Sequence, residues 1–193
     1  MAHLVVEGQT DEVVLRRILT HLLVDAGRAF GLRGRPHLLI NLPRYNAAAQ
    51  FEAFVALVDF DAEPNCVGAF VNGHLPNPSL LMRFRVAVRA IEAWLMADRE
   101  GLAEFLSVSS SRIPLYPDAI QSPKTEMVNI ARHSRRKLIR TGMVPREGSG
   151  TAIGPAYASI LIEFANTHWD IHTATTNSPS LSRSMVAISS LAI

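Results

Sequence analysis

Phe54-Val55-Ala56-Leu57-Val58-Asp59-Phe60-Asp61 is an apolar run that ends in two acids one residue apart. A segment this short and this rich in Val, Leu and Phe reads as a strand buried on both faces, as in the middle of a parallel sheet. Side chains alternate along an extended chain, so Asp59 and Asp61 point the same way at the strand's carboxyl end, where open α/β sheets bind their ligands. Two carboxylates held that close raise each other's pKa unless a cation sits between them, and a hard divalent ion with oxygen ligands is the simplest such cation. The plainer alternative is that both acids only end a strand and start a turn, a common post for Asp.

On the amino-terminal side, Leu4-Val5-Val6 leads into Glu7-Gly8, and Val14, Leu15, Ile18, Leu19, Leu22 and Leu23 then recur at the spacing of one helix face. Thr10 is the expected N-cap, with Asp11 and Glu12 at the positive end of the helix dipole. Gly8 lets the backbone turn sharply, leaving Glu7 at the same rim as Asp59, within reach of Asp11. Alternatively, Asp11 serves only the dipole and Glu7 is a surface acid. Residues 27–36 read as a connection, 37–42 as a second strand, 46–52 as a short helix, and 66–70 as the start of another.

Residues 79–86 read as a fourth strand feeding a helix over 88–106, where Ile91, Trp94, Leu95, Leu102, Phe105 and Leu106 form an apolar stripe. Glu92 interrupts that apolar stretch and is a third source of carboxylate; alternatively it pairs at the surface with Arg85 or Arg89. Trp94 reads as core and Asp98 as a solvated or turn acid. From Ser107 the texture changes to a Ser- and Pro-rich connection, then helices starting at Ser122-Pro123-Lys124 and covering 124–132, 135–141, 155–166 and 180–192. The alternation predicts an α/β domain over residues 1–106, with about four mostly parallel strands flanked by helices, and a mainly helical C-terminal extension over 107–193 packed on it.

The chain has 193 residues, 48% hydrophobic and 19% charged, enough for one packed core. No apolar run approaches the roughly 20 residues of a membrane span, and Met1-Ala2-His3-Leu4 has no basic leader, so the cytoplasm is the expected compartment. A single cysteine, Cys66, allows neither an internal disulfide nor a Cys-based zinc cluster. The net charge of +2 does not by itself announce nucleic acid. The basic residues bunch, however, at Arg135, Arg136, Lys137 and Arg140, which are the candidates for holding phosphates unless they form a merely solvated helix face.

Val5-Val6-Glu7-Gly8-Gln9-Thr10-Asp11 and Val58-Asp59-Phe60-Asp61 resemble the Glu-Gly and Asp-x-Asp motifs of the TOPRIM fold, shared by topoisomerases, primases, small maturation nucleases and the overcoming-lysogenization-defect nucleases. Together with the stretch from Arg85 to Asp98, with Ser122-Pro123-Lys124 and with Ser178-Pro179-Ser180-Leu181-Ser182-Arg183, the chain is similar over nearly its whole length to a bacterial family of small TOPRIM-related proteins. That resemblance implies a TOPRIM-like fold and divalent-metal phosphoryl transfer on a nucleic acid backbone, with DNA the expected polymer and phage defence or DNA repair the expected setting. It gives Glu7 the role of general acid or base or metal ligand, makes Asp59 and Asp61 ligands of Mg2+ (or Mn2+), and offers Asp11 and Glu92 for a second metal. By the same similarity Lys124 neutralises charge on the phosphate; its plainer role is a solvated lysine in a first helical turn. In such a scheme one ion activates water and another stabilises the leaving oxygen, about 4 Å apart. The competing expectation is a non-catalytic TOPRIM-like module that partners an ATPase, since the chain has no ATP-binding loop of its own.

Overall fold

The computed structural model describes residues 1–60 and 66–191. Its strands β1 (Ala2–Val6), β2 (Ala26–Gly31), β3 (Ala53–Asp59) and β4 (Met82–Ala87) form one all-parallel sheet in the order β2-β1-β3-β4. The two most apolar strands, β1 and β3, take the centre, where both faces are covered. Their register runs from Ala2 opposite Ala53 to Val5 opposite Ala56, so Glu7 and Asp59 leave the sheet beside one another.

Alternation along the strands builds two cores. Val5, Ala56, Val58, Phe84 and Val86 face Leu38 and Leu42 of helix α2 (Arg35–Ala48) and Phe70 of α3 (Val67–His74). On the other face, Leu4, Val6, Val55 and Leu57 meet Val14, Leu15, Ile18 and Leu19 of α1 (Gln9–His21). That second core continues without a break through Trp94 of α4 (Ile91–Met96) and Phe105 of α5 (Arg99–Leu106). It then takes in Met127 of α6 (Pro123–Arg132), Ile139 of α7 (Lys137–Met143) and Phe164 of α8 (Tyr157–Thr167). Ala174 of α9 (Ile171–Asn177) and Leu181 of α10 (Pro179–Ser189) complete it. Of the carboxyl-terminal helices, α10 lies against β4 and α8 packs on α1, while α6 packs on α4, and they carry residues to the rim of the sheet. No helix among the described residues is long and apolar enough to cross a membrane.

Several local expectations are corrected. Residues 37–42 are not a strand but part of α2, which opens with Gly34 and Pro36 and buries Leu38 and Leu42, one turn apart. The second strand is Ala26-Gly27-Arg28-Ala29-Phe30-Gly31, inside the stretch expected to be a connection. It is a half-exposed edge strand bonded only to β1, so it needs no apolar run; Gly31, at φ 90°, leaves no room for a Cβ against the Val6 carbonyl. The N-cap of α1 is Gly8 rather than Thr10, and its N–H donates to Asp11 Oδ2 at 2.8 Å. The expected helix over 88–106 is two helices, divided at Asp98, whose carboxylate caps α5 by accepting from Gly101 N at 3.1 Å. Asp98 is therefore buried, not solvated. An unexpected helix, α9, is capped by Asp170.

Candidate active site at the carboxyl rim

Four elements deliver carboxylates to the carboxyl rim of the central strands. Glu7 follows β1, and its Oε1 accepts from the backbone N–H of Asp59, the last residue of β3, at 3.0 Å. Asp59 Oδ1 accepts from the N–H of Ile91 at 3.0 Å, which joins the rim to the first turn of α4. Glu92 is the next residue and is only 3% exposed. Asp11, 8% exposed, comes from the first turn of α1 and is held by Gly8 N–H. Chain segments 52 and 32 residues apart are thus fastened at one place through backbone N–H groups donating to carboxylates.

The electrostatics show how crowded these charges are. Burial, with Glu7 and Glu92 nearby, lifts the Asp11 carboxyl from its ordinary range to about 7, despite the Gly8 hydrogen bond that favours its charged form. Asp59 is raised well above the usual carboxylate range by burial and then by the charges of Asp11, Glu92 and Glu7, against the pull of Ile91 N–H. After burial, Glu7 and Glu92 contribute to both shifts and Asp11 to that of Asp59, so the four acids lie within one another's electrostatic reach.

Glu92 has the most specific surroundings. Tyr157, the first residue of α8, donates its hydroxyl to Glu92 Oε1 at 3.0 Å inside the protein. Lys124, in the first turn of α6, places Nζ 4.0 Å from the same oxygen. The other oxygen, Oε2, is buried without a hydrogen-bond partner among the described residues. Burial and the adjoining Glu92 carboxylate raise the Tyr157 pKa, so the phenol keeps its proton and acts as a donor. Sequence reasoning missed Tyr157; nothing local distinguishes a tyrosine at the start of an amphipathic helix from a core residue.

Of the expected site residues, Glu7, Asp11, Asp59, Glu92 and Lys124 are gathered at this rim, whereas Asp61 lies outside the described residues. Among the described residues no group of three or more His, Cys, Asp and Glu side chains stands ready to hold a metal ion. In donor chemistry the set fits a hard divalent cation: it offers carboxylate oxygens alone, one of them buried and unfilled.

The basic segment is less uniform than its sequence. Arg136 donates to the Phe105 carbonyl at 3.0 Å and lies 5.9 Å over the Phe105 ring, and Arg140 donates to the Ser134 carbonyl at 2.5 Å. Arg135 and Lys137 project into solvent. The segment follows the carboxyl end of α6, roughly 12 Å of helix beyond Lys124. No ion pair among the described residues joins it to the acids. Comparison with family models, with curated proteins and with solved structures finds no match to this chain.

Proposed function

We propose that the protein is a TOPRIM-like, divalent-metal-dependent phosphodiesterase that acts on a nucleic acid backbone, with Mg2+ or Mn2+ held at the carboxyl rim. The observation that carries this reading is the buried Oε2 of Glu92, without a hydrogen-bond partner among the described residues, beside Asp11 and Asp59, whose carboxyls are raised by burial and by neighbouring charges. A chain built only for stability would not crowd acids in this way, because a buried charge without a partner costs several kcal/mol.

Asp59, Glu92 and Asp11 would hold the ion, joined by Asp61 of the same Asp-x-Asp motif. A divalent ion there supplies charge neutralisation on the phosphate and a lowered pKa for the attacking water. Ile91 N–H fixes the Asp59 carboxylate and the Tyr157 hydroxyl fixes Glu92, so both ligands are orientated before substrate arrives. Glu7, tied to Asp59 N–H through Oε1, would serve as general acid or base or as a metal ligand. Lys124 brings a positive charge to the edge of the acids, where the phosphate would develop negative charge.

Calorimetric titration with Mg2+ and Mn2+ tests the reading. Wild type should give a saturable isotherm that Asp59→Ala abolishes. An undiminished isotherm in the variant removes Asp59 from the site. A wild type that takes up neither ion favours the non-catalytic module and its ATPase partner.

A further inference from the structure

Beside the acids lies a cavity of about 420 Å3, lined by Arg89 and Ala90 from the β4–α4 turn and by Gln121, Ser122, Lys124 and Thr125 from the start of α6. It touches the carboxylate cluster at two points: Ala90 immediately precedes Ile91, whose N–H holds Asp59, and Lys124 stands 4.0 Å from Glu92. Among the described residues, both charged groups that line it, Arg89 and Lys124, are cations.

Arg89 behaves unlike the other half-buried arginines. Arg16 is paired with Glu12, and Arg17 donates to the Trp169 carbonyl. Arg83 donates to Ala187, Arg85 to Ser184, Arg99 to Ile113 and Arg140 to Ser134. Among the described residues, no hydrogen bond or ion pair is made by the Arg89 guanidinium, although its backbone carbonyl is firmly used by Phe60 N–H at 2.7 Å. A planar five-donor group on an anchored backbone, without an acceptor among the described residues and lining a cavity, is matched to an oxyanion.

We propose that this cavity is a phosphate subsite in which Arg89, with Lys124, Gln121 and Thr125, holds the phosphodiester next to the one cut at the carboxyl rim. The cavity is large enough for one phosphate with its sugar, within the usual volume of small-ligand pockets. The inference rests on the nucleic-acid reading above but not on the metal, since guanidinium–phosphate pairing needs none. Arg89 thereby does what the basic segment does not: it brings cationic binding to the acids themselves.

Fluorescence anisotropy with short single-stranded DNA and RNA, in chelator and over a range of salt, tests this. Arg89→Ala should weaken binding about tenfold and lower the slope of log affinity against log salt by about one; Arg89→Lys should restore the slope but not the full affinity. Arg44→Ala, on an exposed position of α2, should change neither. Gln121→Ala and Thr125→Ala, both at exposed positions, give smaller losses and keep the question open to measurement if Arg89→Ala folds poorly. Unchanged affinity and slope in Arg89→Ala, or a wild type that binds neither polymer, overturns the proposal. Arg89-dependent binding in a protein that takes up no divalent ion would leave the subsite standing and sink the metal reading alone.

Discussion

Asp98 and Glu92 are both 3% exposed, yet the chain treats them in opposite ways. Asp98 has each oxygen filled by a backbone N–H: Gly101 gives to Oδ1 at 3.1 Å and Asp170 to Oδ2 at 2.8 Å, which ties the start of α5 to the start of α9. Asp118 is served likewise, by the Ser178 hydroxyl at 2.7 Å and by Ser180 N–H at 2.8 Å. At the carboxyl rim, Glu92 keeps one oxygen without a partner among the described residues, while Asp11 and Asp59 are pushed up by burial and then by their neighbours' charges. Burial of an acid therefore does not identify a site. What distinguishes the rim is that a buried carboxylate oxygen has no hydrogen-bond partner among the described residues, and that like charges are collected rather than dispersed.

The largest effect that can break this comparison is the pH dependence of stability in metal-free protein. Asp11 has a folded pKa of about 7 against an ordinary value of 3.8, so between these values the folded chain holds a proton that the unfolded chain has released. Stability must then fall as pH rises from about 4 to about 7 and level off above, by up to roughly 4 kcal/mol from this group, with Asp59 acting in the same direction. Thermal melting across that range, in chelator, should show the decline, and Asp11→Asn should flatten it. Saturating Mg2+ should reverse it at neutral pH. A melting temperature that rises steadily from pH 4 to 7 would mean the rim acids are stabilised in their charged form and not crowded.

Next in size is the structural acid itself. Asp98→Ala leaves two backbone N–H groups unserved and removes the α5 cap, so a loss of about 3 kcal/mol is expected, visible as a fall in melting temperature of roughly 6–12 °C. The Mg2+ isotherm of the folded variant should be unchanged. Asp59→Asn is its mirror image. It keeps an acceptor for Ile91 N–H but removes a charge, so the metal-free protein should melt higher than wild type, while divalent-ion affinity drops about 100-fold, roughly 2.7 kcal/mol. If Asp59→Asn melts lower and binds metal normally, the division between the two kinds of acid fails.

The rim was legible in sequence where its cause is local. A short run such as Phe54 to Val58, with two valines and bounded by acids, reads as a buried strand, and a parallel sheet sends Glu7 and Asp59 to one edge by topology alone. The edge strand β2 was not legible, because it carries no apolar run, and the apolar residues 37–42 drew the strand assignment to what is α2. The division of α4 from α5 was missed because Asp98 looks like any turn acid until Asp170, 72 residues away, is seen to donate to it. Long-range partners have no signature in a local window. The same holds for the basic segment, whose Arg136 is drawn onto Phe105 by an acceptor 31 residues earlier.

The smallest effect, and the sharpest test of how the rim is held, concerns Tyr157. Its hydroxyl is the hydrogen-bond donor to Glu92 among the described residues, reaching across 65 residues, with Lys124 farther off at 4.0 Å. Tyr157→Phe keeps the ring in the core and deletes only that donor, leaving both Glu92 oxygens without a hydrogen bond from the described residues. A loss of about 1 kcal/mol in metal-free stability is expected, together with a weaker Mg2+ isotherm because Glu92 is no longer orientated. In the double variant Tyr157→Phe with Glu92→Gln the two effects should be non-additive, since the second change finds the interaction already gone. Strict additivity would show that the phenol and the carboxylate act independently, and that the helical layer covers the sheet without holding its acids in place.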